Sequence, residues 1–198
     1  MTINHIHQAM STLAAKRSAF YSEADFQFAL AWELQTLLPN ANIHLERRVV
    51  IKNESWYIDI WVEYDGKIFP IELKYKTKSA VISGIELKNH AAMDFGCYDY
   101  LKDIYRLENL SNIEKGFAVM LTNDPAYYTN TKRSSAYDNF KIYDDVTRGG
   151  RLSWGLTSKG APFVSGSRNA FTLKKNYTMQ WQPYNGGAYD FQYLINEV

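Results

Sequence analysis

YIDIWVEYDGKIFPIELKYKTK, residues 57–78, decides how this chain is read. Two runs rich in β-branched and aromatic residues flank Asp65-Gly66, a dipeptide that accepts positive φ at a tight turn. The stretch predicts a β-hairpin with strands over 56–63 and 67–76. Side chains alternate across a strand. Ile58, Ile60 and Val62 therefore share one face of the first strand, and Tyr57, Asp59 and Trp61 the other. Phe69, Ile71, Leu73 and Tyr75 share one face of the second, and Glu72 and Lys74 the other. Each strand has an apolar face for a core and gathers its charges on the opposite face.

A hairpin closing at Asp65-Gly66 pairs residues whose numbers sum to about 131, so Asp59 falls opposite Glu72. Two carboxylates facing each other destabilise a sheet unless something compensates them. A divalent cation would, since Mg²⁺ takes a few carboxylate oxygens and completes its shell with water and phosphate oxygens. Lys74, two residues on, could orient or help deprotonate a water and offset charge building on phosphorus. The plainer alternative is a structural ion pair of Lys74 with Glu72 or Asp59 on the solvated side of a sheet.

Outward from the hairpin, the pattern is a mixed one. Residues 1–20 read as a short polar helix. Ser22 opens a stronger helix as its N-cap, with Asp25 three residues on in a capping-box position. Phe26, Ala29, Leu30, Leu34, Leu37 and Leu38 recur there at helical spacing until Pro39-Asn40. IHLERRVVIK, 43–52, reads as a strand, with a turn at Asn53-Glu54. Residues 86–110 carry a helical pattern, GFAVMLT (116–122) is a continuous apolar run of the buried-strand kind, and NDPAYYTNTKRSS (123–135) is a polar loop. Short strands and Gly-rich turns follow from 140. Helix, three strands, helix, strand favours an α/β fold, a mixed sheet with helices packed on it.

The chain of 198 residues suits one domain, with a core over about 22–122 and a basic, aromatic C-terminal part over about 146–198. No apolar run approaches the roughly 20 residues that span a bilayer, so no membrane role is expected. The N-terminus lacks the charged and apolar regions of a secretory signal. A single cysteine, Cys97, makes no internal disulfide, which fits a reducing cytoplasm. None of the four histidines stands at metal-ligand spacing with a cysteine, which argues against zinc.

Net charge is +1, but its distribution is uneven. Residues 146–189 contain no Asp or Glu and hold Arg148, Arg151, Lys159, Arg168, Lys174 and Lys175; the rest has 16 basic against 21 acidic residues. Trp154, Phe163, Phe171, Tyr177, Trp181 and Tyr184 lie among these cations. Such a mixture suits phosphates and unstacked bases. It equally suits a strand-rich region whose aromatics are core and whose lysines face water.

Asp59, twelve intervening residues, then Glu72-Leu73-Lys74, after a helix bearing Glu23, resembles the PD-(D/E)XK nuclease superfamily, the restriction-endonuclease-like group. SEADFQFALAWEL, IELKYKTK, YDYLKDIYRLENL and FAVMLTND are similar to uncharacterised bacterial members. Ile58 stands where the motif has proline, a position that varies. The resemblance covers about Ser22 to Thr122. It implies a mixed sheet flanked by helices and a Mg²⁺-dependent phosphodiesterase, with Mn²⁺ as a substitute metal, acting on nucleic acid, on DNA more often than RNA. It implies that Asp59 and Glu72 are metal ligands, that Lys74 is the water-orienting base or charge stabiliser, and that Glu23 is an accessory acid for the metal or its water. A homodimer, or a larger defence or repair complex, would suit double-strand cutting. A catalytically silent module that binds nucleic acid or a protein partner is the alternative.

Other residues carry weaker expectations. Glu33 and Glu46 read as surface charges, though either could replace Glu23. Asp99, Asp103 and Arg106 share a helix face and read as an ion-pair network on a solvated surface. Lys76 and Lys78 suit either the scissile strand or solubility. His90 and Cys97 find no third member for a nucleophile and base and receive no role.

Overall fold

A computed structural model describes residues 1–51, 54–131, 133–157, 160–163, 166–184 and 191–198. Helices α1 (Ile3–Lys16) and α2 (Glu23–Leu37) lead into strands β1 (Asn42–Ile51), β2 (Glu54–Tyr64) and β3 (Lys67–Lys76). A small hairpin follows, β4 (Ala80–Ile82) and β5 (Ile85–Leu87), then helix α3 (Met93–Glu108) and strand β6 (Phe117–Thr122). The remainder is α4 (Pro125–Tyr128), β7 (Thr147–Leu152), β8 (Phe171–Thr178), β9 (Trp181–Pro183) and β10 (Gln192–Glu197).

The protein is α/β, with a mixed six-stranded sheet in the order β1-β2-β3-β6-β10-β9. Only β3 and β6 run parallel, and α3 lies between them in the chain. The other neighbours are antiparallel. Two strands of the central sheet therefore come from the C-terminal part, which also forms the separate β7–β8 pair.

Asp65 and Gly66 both take positive φ, 53° and 69°, as a two-residue turn of this twist requires. The β2–β3 register pairs Ile60 with Ile71 and Tyr64 with Lys67, as the hairpin spacing predicts. Ser22 caps α2, its side chain accepting the Asp25 N–H at 3.1 Å. Asp25 reaches back to the Tyr21 N–H and to Arg17 rather than to Ser22.

Alternation along β3 and β6 divides the core. Phe69, Ile71, Leu73, Tyr75, Phe117, Val119 and Leu121 pack with Ile6, Met10, Leu13, Phe26, Leu30 and Leu34 of α1 and α2. Ala118 and Met120 face the other way, among Tyr100, Leu101, Ile104 and Leu107 of α3 and Phe171 and Leu173 of β8. Both faces of the sheet are covered. Glu72 and Lys74 thus look into a layer under α3, not into solvent as one alternative had it.

Several local expectations need correction. Residues 3–16 form an amphipathic helix with Ile6, Ala9, Met10 and Leu13 buried, because apolar side chains recur every three or four positions. The helical pattern proposed from 86 begins only at Met93, since residues 80–87 pair as a hairpin around Ser83-Gly84, both at positive φ. The polar loop after β6 holds the short α4, capped by Asp124 with Pro125 in its first turn. The turn expected at Asn53-Glu54 involves a residue outside those described.

Gly96 on α3 is required by close approach. A Cβ there would press on the hydroxyl of buried Tyr127. Gly96→Ala is expected to lower the stability read by urea titration by about 1–2 kcal/mol, net of the helix-propensity gain. Adding Tyr127→Phe should restore it, because the Tyr127 hydroxyl has no hydrogen-bond partner to lose.

Candidate active site

The site arises where β2 parts from β3. Their ladder stops at Ile60–Ile71, so β3 backbone N–H groups beyond that point lose the strand they would have bonded. Two carboxylates take the place of the missing strand. Asp59 Oδ2 accepts the Leu73 N–H at 2.5 Å, and Glu23 Oε2 accepts the Tyr75 N–H at 2.7 Å. Gln27 of α2 donates to the freed Asp59 carbonyl at 2.6 Å and to Glu46 at 2.7 Å. Asp59 and Glu23 are thereby fixed along the edge of β3, beside Glu72 and Lys74.

Glu72 is 2% exposed. Its burial, with Asp103 and Asp59 nearby, raises its pKa well above the usual carboxylate range. Burial likewise raises Asp59, to about 6, although Lys74 and the Leu73 N–H pull it down. Burial by itself would lower the Lys74 ammonium, but Asp103, Glu23, Asp59 and Glu72 reverse that and hold it raised. The raised pKa favours the charged ammonium of Lys74, a hydrogen-bond donor and a positive charge. Its Nζ lies 2.6 Å from Asp103 Oδ2 and donates to the Leu73 carbonyl at 2.8 Å.

Asp103 and Arg106 are the residues that sequence reasoning misplaced. Asp103 is 1% exposed, not on a solvated face. It sits three residues after Tyr100 and four before Leu107, both buried on the apolar stripe of α3. An acid inside that stripe was the available signal. Arg106 Nη1 donates to Asp103 Oδ1 at 2.9 Å and lies 4.0 Å from Glu72 Oε1. The Arg106 guanidinium carbon lies 5.2 Å from the centre of the Trp56 ring on β2.

Other candidates fall elsewhere. Glu33 is buried and paired with Lys16, and Glu46 accepts from Gln27, so neither replaces Glu23. Lys76, Lys88 and His90 line a cavity of about 340 Å³ that opens beside Glu23 and Ser22. His90 Nδ1 accepts the Thr77 N–H at 2.9 Å. Lys78 anchors its backbone N–H on Asn123. Cys97 is buried, and burial pushes its thiol up to about 12.

The C-terminal cations are largely engaged. Arg148 donates to the carbonyls of Lys141 and Asp138. Arg168 forks onto Asp99 at 3.0 and 3.1 Å, and Lys174 bonds Glu108 through its backbone N–H and its ammonium. Arg151 and Lys175 have exposed side chains, and Lys159 lies outside the described residues. Phe171, Tyr177, Trp181 and Tyr184 are core, while half-buried Trp154 stacks on Phe163 with centroids 4.8 Å apart. Two roomier cavities, about 400 Å³ each, lie near Arg133 and away from the carboxylates.

The fold and site define an α/β protein with a mixed sheet and a cluster of four acids, buried Glu72 and Asp103 with half-buried Glu23 and Asp59, beside Lys74 and Arg106. No protein-family model matches the chain, and no curated protein matches it.

Proposed function

We propose that this protein is a metal-dependent nuclease of the restriction-endonuclease-like type, which hydrolyses phosphodiester bonds in nucleic acid, with DNA as the favoured substrate. The observation that carries the reading is the meeting of Asp59 and Glu72 beside a protonated Lys74, with Glu72 Oε1 buried and without a hydrogen-bond partner. A buried carboxylate oxygen left in that state has room for a partner such as a water or a cation.

The residues fit a small hard cation. Acids outnumber bases in the cluster, and Asp59 and Glu72 would supply the one or two carboxylates that Mg²⁺ takes from protein. Among the described residues no group of three His, Cys, Asp or Glu stands ready to hold a metal, so water and substrate oxygens would complete the shell. When bound, such an ion would polarise the phosphate and lower the pKa of an attacking water.

The chain's own groups would do the rest. Water oxygen bonds to phosphorus as the bond to the 3′ oxygen breaks. The water's proton passes to a neighbouring water, and the 3′ oxygen takes a proton from solvent water as it leaves. Lys74 has three donors, of which the Leu73 carbonyl takes one, while Asp103 pairs with the charge of the ammonium. A remaining donor would orient the water or meet charge growing on the phosphate oxygens. Glu23 would support the metal or its water through the oxygen not held by Tyr75. Arg151, Lys175 and the lysines of the cavity beside Glu23 would meet the phosphate backbone.

The test is cutting of plasmid, single-stranded DNA and RNA by the full chain with Mg²⁺ or Mn²⁺, beside an EDTA control. Metal-dependent cutting, with one substrate class preferred, is the expected result. Salt-sensitive DNA binding with no cutting under any metal would move the reading to a silent binding module.

A further inference from the structure

Among the described residues, four buried side-chain polar atoms lack a hydrogen-bond partner, and three of them are Glu72 Oε1, Asp103 Oδ2 and Arg106 Nε. Native proteins leave few such atoms, and a cluster of them marks a place where a ligand belongs. Glu72 is accounted for by the metal reading. Asp103 Oδ2 has its ion pair with Lys74 at 2.6 Å. Arg106 Nε remains, a donor with nothing to donate to.

We infer that Arg106 is a second substrate-contacting cation, which donates to a non-bridging oxygen of the scissile phosphate. Asp103 is the positioning residue that holds both Arg106 and Lys74. This rests on the nuclease reading above.

Geometry supports the division of roles. One carboxylate reaches both cations, Oδ1 to Arg106 at 2.9 Å and Oδ2 to Lys74 at 2.6 Å. Asp103 is 1% exposed, fixed on the buried stripe of α3 and engaged with both cations, as a positioning residue would be. The Arg106 side chain is a third exposed, and the Trp56 ring on β2 steers it from the other side. Its Nη1 stands 4.0 Å from Glu72 Oε1, so the guanidinium lies beside a carboxylate that would hold the metal. A planar fork with spare donors recognises a phosphate better than an ammonium does. If Arg106 merely neutralised Asp103, lysine would serve in its place.

The experiment uses full-length wild type, Arg106→Lys, Arg106→Ala, Asp103→Glu and Asp103→Asn. Cleavage is followed with Mg²⁺ at varied DNA, and thermal unfolding checks each fold. In parallel, the ¹⁵N-labelled arginine Nε–H signal that disappears in Arg106→Lys is titrated with a thymidine dinucleotide carrying a 5′-phosphate, with Ca²⁺ present. Arg106→Lys and Arg106→Ala should cut about 10²–10³-fold more slowly at saturating DNA, as for loss of one charge-stabilising donor. Their KM should stay within about threefold, and the wild-type signal should shift saturably. Asp103→Asn should lower kcat in the same way, and Asp103→Glu should recover part of it. Wild-type cutting with Arg106→Lys within threefold of it would overturn this inference and leave the nuclease standing. A saturable shift without cutting by wild type would overturn the nuclease reading and leave the phosphate contact standing. Neither cutting nor a shift would overturn both.

Discussion

Asp59→Asn is expected to abolish the proposed metal-dependent cutting and to make the metal-free protein more stable at neutral pH. The two effects have one cause. Burial raises the Asp59 carboxyl to about 6, so ionising it at pH 7 works against the fold until a cation arrives. The sign follows from linkage. An acid whose folded pKa lies above its unfolded value binds protons more readily when folded. Its contribution is therefore most favourable below about pH 4, is lost as pH rises through about 6, and is flat beyond. Asparagine carries no charge, and its Oδ1 can still accept the Leu73 N–H. The stability difference between variant and wild type, read from urea midpoints, should grow from near zero at pH 4 to about 1–3 kcal/mol at pH 7. The difference matters rather than the wild-type curve, because Asp25 and Asp138 are shifted down and push the other way. Mg²⁺ should raise the wild-type midpoint and leave the variant's unchanged. A variant less stable than wild type at pH 7 would refute the account of Asp59 as a strained ligand.

Lys74→Ala produces the largest expected loss of stability. Lys74 lies in a layer with Asp103 and Glu72 at 1–2% exposure, and its ammonium is the cation closest to Asp103. Removing one partner of a buried pair typically costs about 3–5 kcal/mol, and Arg106 at 2.9 Å would then be the one cation left on Asp103 among the described residues. The loss should shrink in acid, where Asp103 and Glu72, both raised by burial, take up protons. Lys74→Met combined with Asp103→Leu should recover most of the stability and none of the cutting. A Lys74→Ala protein as stable as wild type would place Lys74 in solvent and undo the buried cluster. Inactivity of Lys74→Ala is informative only beside its unfolding curve, whereas Asp59→Asn separates chemistry from folding by the opposite signs of its effects.

The hairpin was legible in the sequence because its determinants are local. Asp65-Gly66 sets the turn, the turn sets the register, and period-two alternation puts Asp59, Glu72 and Lys74 on the face away from Ile60 and Leu73. The Ser22 cap and the apolar run 117–122 are legible for the same reason. Asp103 was not. Whether the face of α3 that bears it meets water or a sheet depends on α3 crossing above β3 and β6, residues distant in the chain. The basic C-terminal part illustrates the same limit from the other side. Its composition suited a phosphate-binding surface and a strand-rich region with solvated lysines equally, and only the fold shows Asp99 and Glu108, both outside that stretch of sequence, taking up Arg168 and Lys174. Local sequence thus determined the strands, the turn and the motif's spacing. Tertiary structure decided which charges are buried together, because burial and pairing are set by what packs on top.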